Sequence, residues 1–495
     1  MGKNIQNMEE FDVATIARRS IHGAVALVSR TFAIQIISLV SSFLLTIFLE
    51  PNAFGIFFVI SSVIAFLAYF SDIGLAAALI QKKEAITQDD LKTTFTIQQM
   101  LIGTLVVIAL LASDAVGSFY NLESAGILLF QALVISFFMS SLKTIPSIIL
   151  ERDLRFDKLV IPQIAEALVF NVVAVTLALL GFGISSFTYA VLGRGVTGLV
   201  VIYIIQPWRA TFGFSRQSAK RLLSYGMPFQ ANSVLALLKD ELIPVYIGKV
   251  LPLTEVGYIG FAKKWALTPL RLIMDNVIRI TFPSFSRLQS EKKLLSLGIE
   301  KSLFVGTAII FPSLVMLVVL SPYLIDVIPR YEKWRPALLS LSLFSIDAFL
   351  SSISTPLTNA LNAIGKIKIT LTFMIFWTVA TWILTPLAII LYGFNGVALV
   401  SALIATSVVA VIYISKRYIE FDVIKAVSKP FFASAIMGVV LYFVTSHIVL
   451  NIFTLLVIIF LAGVLYISLL YYLAKKEVRA DIYFALKQFK KGSQF

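Results

Sequence analysis

A window of about 20 residues, enough to cross roughly 30 Å of hydrocarbon at about 1.5 Å per helical residue, finds an apolar run fourteen times along this 495-residue chain. The runs lie near 21–48, 53–80, 92–112, 123–142, 159–180, 184–205, 221–248, 254–278, 302–321, 336–361, 367–391, 396–415, 430–447 and 451–473. Inside hydrocarbon a backbone finds no water, so each run must be a helix that satisfies its own N–H and C=O groups. The expected fold is an all-α integral membrane protein with fourteen transmembrane helices. Composition agrees: 59% of the chain is hydrophobic and 14% charged, where a soluble chain carries about a quarter charged. The first residues are polar and acidic, so the first membrane helix, rather than a cleaved signal peptide, is expected to direct insertion.

The net charge of +14 would suggest nucleic acid as the partner of a soluble chain, but topology accounts for it here. The connecting segments 1–20, 81–92, 143–158, 206–220, 279–301, 362–368, 416–429 and 474–495 hold about 30 Lys/Arg between them, a bias that marks the cytoplasmic side. The alternate set (49–52, 113–123, 181–183, 249–255, 322–335, 392–395 and 448–450) holds four Lys/Arg and six Asp/Glu. Both termini are therefore expected in the cytoplasm and no nucleic-acid partner is implied. The basic stretch Lys475-Lys476-Glu477-Val478-Arg479, continuing through Lys487, Lys490 and Lys491, reads as an amphipathic helix on anionic lipid.

With no cysteine there is no thiol nucleophile and no Cys-bound metal, and the two histidines, His22 and His447, lie too far apart in sequence to form a local metal motif. The short outward segments leave no room for a catalytic domain. These features exclude most enzymes and point to a transporter without a cofactor, apart from H⁺ or Na⁺ as a coupling ion.

The chain also repeats itself. Leu49-x5-Gly55-Ile56-Phe57 after the first run matches Leu251-x5-Gly257-Tyr258-Ile259 after the seventh; Thr144-Ile145-Pro146 matches Ser354-Thr355-Pro356; Gly181-Phe182 matches Gly393-Phe394. The offsets grow slowly, from 202 to 210 to 212. Six helices per repeat is an even number, so the halves share one orientation and an axis along the membrane normal. The expected organisation is an N-lobe over 1–205, a cytoplasmic linker over 206–220, a C-lobe over 221–415, two added helices over 416–473 and a basic tail over 474–495.

Three stretches carry a family resemblance: Phe70-Ser71-Asp72-Ile73-Gly74-Leu75 with Ala78-Leu79-Ile80-Gln81, Asp90-Leu91 and Phe95; Glu151-Arg152-Asp153-Leu154-Arg155-Phe156; and Phe282-Pro283-Ser284-Phe285-Ser286-Arg287-Leu288-Gln289. The chain resembles the polysaccharide transporter branch of the multidrug/oligosaccharidyl-lipid/polysaccharide exporter superfamily, the branch of O-antigen, capsule and colanic-acid flippases. The resemblance covers nearly the whole length. It implies a MATE-like fold, with two pseudo-symmetric six-helix lobes around a central cavity and two further C-terminal helices. It also implies movement of a polyprenyl-pyrophosphate-linked glycan across the inner membrane, with membrane lipids and glycan-assembly membrane proteins as partners.

Ionisable groups within membrane helices are costly unless they face water or a partner, so they mark the substrate path. Arg30, Arg194, Lys239, Lys264 and Arg271 are the candidate substrate-binding cations, suited to a pyrophosphate because their charge survives burial and arginine binds phosphate bidentately. Lys264, Thr268, Arg271 and Asp275 recur at spacings of four, three and four, which puts them on one helix face. Asp72, Asp275 and Asp347 are candidates for ion coupling. The competing reading is structural: Lys239 pairs locally with Asp240 or Glu241, Arg271 with Asp275, and Arg30 or Arg194 with acids across the bundle, while Gly193, Gly195 and Gly198 let the helix of Arg194 pack closely. Two other substrates stay open, lipid II and a cationic drug; the second would want an acid in the first helix, where only Arg30 stands.

Overall fold

The computed structural model describes residues 13–82, 84–231, 237–238, 241–448 and 451–475, with backbone alone for 13–28, 70–72, 225 and 227–231. Lys239, Asp240 and most of the basic C-terminal stretch lie outside the described residues. The chain divides into two compact units, Met1–Gly257 and Tyr258–Phe495.

In chain order the helices of the first unit are α1 (Val13–Phe48), α2 (Pro51–Asp72), α3 (Leu75–Gln81), α4 (Gln88–Leu111), α5 (Ser113–Tyr120), α6 (Ser124–Leu142), α7 (Thr144–Arg152), α8 (Phe156–Leu179), α9 (Ser185–Ile205), α10 (Arg216–Ala231) and α11 (Leu242–Val250). α12 (Leu253–Arg287) starts in the first unit. The second then holds α13 (Lys292–Val327), a 3₁₀ turn (Glu332–Ala337), α14 (Leu338–Ala363), α15 (Ile367–Tyr392), α16 (Asn395–Ala405), α17 (Val408–Lys416), α18 (Val423–His447) and α19 (Ile452–Leu473).

Among the described residues, twelve spans are long and apolar enough to cross a membrane, and they coincide with the first six and last six runs read from the sequence. The other two runs fall on α10–α11 and on α12. α12 is long enough at 35 residues, but it carries Lys263, Lys264, Arg271, Asp275 and Arg279, and its polarity sets it apart from the lipid-facing helices. Exposed Ile383, Leu391, Phe443 and Phe460 on α15, α18 and α19 suit a lipid environment.

The run 53–80 is not one helix. α2 stops at Asp72, Ile73 (φ 46°) and Gly74 (φ 75°) take the left-handed conformation, and α3 restarts at a new angle. A left-handed isoleucine is strained, so the break is imposed by packing around it. Two segments read as connections, 113–123 and 143–158, contain helices instead, α5 and α7. Local signals set several helix starts: Pro51 opens α2, Thr87 and Asp90 form a capping box on α4, and Asn451 and Thr454 do the same on α19.

In the first unit, Leu49, Ile60, Leu129, Phe130 and Ala190 form a fully buried core, against which Phe57 and Phe187 stack at 4.3 Å. In the second, Phe311 stacks on Phe349 at 3.7 Å beside Leu303 and Leu357. α18 and α19 pack on α13 through Leu320, Met437, Leu441 and Ile458, and Tyr466 donates to the Ala308 carbonyl at 2.7 Å. Lipid is as apolar as these side chains, so close fit and such bonds, rather than exclusion from water, hold the helices together.

The first repeated element has a physical role. A Cβ built on Gly55 would stand 1.7 Å from the Leu253 carbonyl oxygen, and one built on Gly257 would stand 1.9 Å from that of Pro51. The α1–α2 and α11–α12 junctions thus press backbone against backbone, and each uses the glycine of the matched motif to do so.

Candidate functional site

The family motifs of the first half converge at the end of the first unit that carries its basic segments. Leu75, Leu79, Leu91, Phe95, Ile145, Ile148 and Leu222 make one buried cluster, and Phe95 meets Trp208 edge-on at 5.0 Å. Beside it Asp90, fully buried, accepts from Lys82 at 2.6 Å and from Arg221 at 2.5 Å, while its oxygens also accept from the Thr87 amide at 3.0 Å. Arg152 donates to the carbonyls of Leu79 at 2.8 Å and Lys82 at 2.7 Å, and to that of Glu84. Those carbonyls are orphans at and beyond the last turn of α3, where a cation is favoured. Next to it, burial raises the Glu151 carboxyl above its ordinary range. This knot ties α3, α4, α7 and α10 together; the family motifs marked Asp90, Glu151 and Arg152 but not Lys82, Thr87 or Arg221, and the pairing itself was missed.

Deeper in the same unit lies a polar ladder along α8. The Arg30 guanidinium on α1 donates to Gln163 Oε1 at 2.5 Å. One turn on, Glu166 accepts from Lys143 at 2.5 Å and lies 3.6 Å from Arg194 Nε. Arg194 therefore pairs with an acid across the bundle, as the competing reading held, although over half its side chain is exposed, 56% against 12% for Glu166. Gly198 serves that carboxylate: a Cβ there would sit 2.0 Å from Glu166 Oε1. The glycine makes room for an acid as well as for a neighbouring helix. Lys143, absent from the sequence-based candidates, was hidden because it stands at the end of α6 in what read as a connection. Glu166→Gln is expected to destabilise the fold by about 1.5–3 kcal/mol, the usual worth of hydrogen bonds to charged groups, read as a drop in thermal midpoint in detergent; an unchanged midpoint would show the ladder to be ornamental.

On α12, Lys264, Arg271 and Asp275 are exposed and Thr268 half-buried, while Ala262 and Ala266 on the opposite side are buried. Thr268 donates to the Lys264 carbonyl at 2.6 Å. Among the described residues Arg271 and Asp275 form no ion pair with each other or with a third group, so the expected i, i+4 pairing is not made. Asp347, half-buried on α14, accepts from Ser351 at 3.0 Å. The Asp72 side chain and all of Lys239 lie outside the described residues.

The match of residues 44–338 to the family model described as "Polysaccharide biosynthesis protein" takes in both the knot and the ladder's partners on α6, α8 and α9. The chain belongs to that family. It is similar to the lipopolysaccharide biosynthesis protein WzxC of Escherichia coli K12, 24% identical over 366 residues and 74% of each chain. It is also similar to the teichuronic acid biosynthesis protein TuaB of Bacillus subtilis 168, 25% identical over 382 residues, 75% of this chain and 77% of that one. Among solved structures, a lipid II flippase, MurJ, in an inward closed conformation covers 92% of this chain and is itself wholly covered, with a TM-score of 0.74 at 16% identity. The protein is thus a multi-span member of the polysaccharide biosynthesis family with the fold of that flippase.

Proposed function

We propose that this transporter moves a polyprenyl-pyrophosphate-linked oligosaccharide from the cytoplasmic to the outer leaflet of the inner membrane by alternating access, for assembly of a surface polysaccharide. The observation that carries the reading is the exposed stripe Lys264–Arg271 on α12, whose arginine is not neutralised by the acid one turn away. An exposed guanidinium on a helix set among membrane spans needs an anionic or aqueous partner, and a pyrophosphate headgroup is one. Within the first unit, Arg30 and Arg194, each held in place by α8, are further cations suited to a pyrophosphate. These cations argue against a cationic drug. Lipid II shares the pyrophosphate and differs in its sugars, so it remains the second reading, supported by the fold shared with the lipid II flippase. Asp275 and Asp347 are the described acids that could take up H⁺ or Na⁺ during the cycle; Asp72 is the third candidate. The positive-inside bias supports a cytoplasmic location for the knot around Asp90 and for both termini.

Arg271→Ala and Arg30→Ala are each expected to abolish surface glycan while the protein still inserts; full export by both single variants and the double variant would overturn the cationic path. The class of substrate is decided in proteoliposomes by leaflet accessibility of a polyprenyl-linked oligosaccharide, with drug efflux measured beside it. Glycolipid movement without drug movement supports the proposal, and the reverse pattern refutes it.

A further inference from the structure

At the end of the first unit away from Asp90 lies a cavity of about 580 Å³, within the range of roughly 300–1,000 Å³ usual for small-molecule sites. Its floor is apolar, with Leu49, Ile56 and Gly126 among the lining residues. The rim is not: Glu50, Asn52, Phe119, Asn121, Glu123 and Lys249 surround the mouth. Three separate junctions contribute them, and none of the six belongs to the proposed headgroup path. Lys249 donates to the Phe119 carbonyl at 2.8 Å and stands 4.3 Å from the centre of its ring, which fixes α11 to the end of α5 across the opening. Glu123 begins α6 without bonding its first turn through the side chain. Tyr120, on the wall, is buried, and its hydroxyl donates to the Val245 carbonyl at 3.4 Å.

The chemistry of this rim selects among ligands. Two carboxylates against one ammonium already in contact with an aromatic ring and a carbonyl repel phosphate. No group of three or more His, Asp or Glu suited to a metal ion occurs among the described residues. An acyl or prenyl chain would have to bury beside charged and amide groups at a desolvation cost. Carboxylates and carboxamides that accept and donate side by side, next to a half-exposed phenyl ring and an apolar floor, suit the hydroxyls and C–H groups of a neutral sugar.

We propose that this cavity is a saccharide-binding site on the extracytoplasmic end of the first unit, separate from the headgroup path and taking the sugar part of the exported glycan after it has crossed. The inference rests on the transport reading for the identity of the sugar, and on the cavity alone for its class. The probe is the repeat-unit oligosaccharide freed from the host's own polyprenyl-linked glycan by mild acid, observed by saturation-transfer NMR on the full chain in nanodiscs. The expected result is transfer to the sugar protons from the wild-type protein, weakened at least tenfold in affinity by Glu123→Gln combined with Asn52→Ala, and unaffected by added inorganic pyrophosphate. Glu123 and Asn52 are exposed, so these changes spare the core, and an unchanged thermal midpoint verifies folding. Equal transfer from the variant, displacement by pyrophosphate, or binding of glycerol 3-phosphate in place of the sugar would each overturn the site. Lost transport with sugar binding retained in the wild-type chain would count against the transport reading and not the cavity; intact transport without sugar binding would do the reverse.

Discussion

Asp90→Ala is expected to leave little folded protein in the membrane. The carboxylate is fully buried and is shared by Lys82 and Arg221, so its loss strands a lysine that is itself 6% exposed without a counter-charge. Breaking a buried pair by removing one partner costs about 3–5 kcal/mol, a large part of the roughly 5–15 kcal/mol by which folded proteins are stable. The carboxylate's half of the capping box at the start of α4 is lost in the same step, while the Thr87 hydroxyl still accepts from the backbone amide at position 90. Asp90→Asn keeps an acceptor for the Thr87 amide and loses only the charge, so it should fall between wild type and alanine. Membrane abundance and thermal unfolding in detergent measure the series. An alanine variant as abundant and as heat-stable as wild type would show that the knot does not hold α3, α4 and α10 together.

The second large effect is expected at the glycine pair. Gly257→Val places branched carbons where a Cβ alone would stand 1.9 Å from the Pro51 carbonyl oxygen, far inside any permitted contact. Neither side can escape by changing rotamer, because the obstructing atoms are backbone. The two junctions must separate, and overpacking of this kind costs typically 1–3 kcal/mol where neighbours can yield, and more where they cannot. Under the proposed mechanism this abolishes glycolipid movement in proteoliposomes. Cysteines placed at Ala53 and Leu253 should cross-link readily in an otherwise wild-type background and poorly in the valine variant. Efficient cross-linking together with full transport in Gly257→Val would sink the idea that the junctions must meet.

Much of this architecture is legible in the chain because membrane physics leaves few choices. Long apolar runs must be helices, and the Lys/Arg bias assigns their ends. What escaped was local and geometric. The apolar continuity of 53–80 concealed the turn at Ile73-Gly74, although the glycine was in plain view. Thr87-x-x-Asp90 has the spacing of a capping box, yet nothing in sequence links Asp90 to Arg221, 131 positions away. The stripe on α12 was readable because its members share one helix; Glu166, Lys143 and Arg194 come from three separate places in the chain, and only packing brings them together. Arg271 and Asp275 show the opposite failure, since the spacing that favours a pair on a helix does not oblige one to form.

The reciprocal fit of Gly55 and Gly257 also bears on how such a chain can change over generations. Each glycine accommodates a carbonyl carried by the other repeat, so the first side chain to appear at either position separates both contacts at once. A second substitution then finds the space already opened, and its effect should fall well below the sum of the two, as expected for sites in contact. Neither position can therefore drift alone, and both drift cheaply once one is lost. Hybrid transporters joined within the loop between α9 and α10 should follow the same rule: grafted halves are expected to work together only when each donor brings its own glycine to the shared seam.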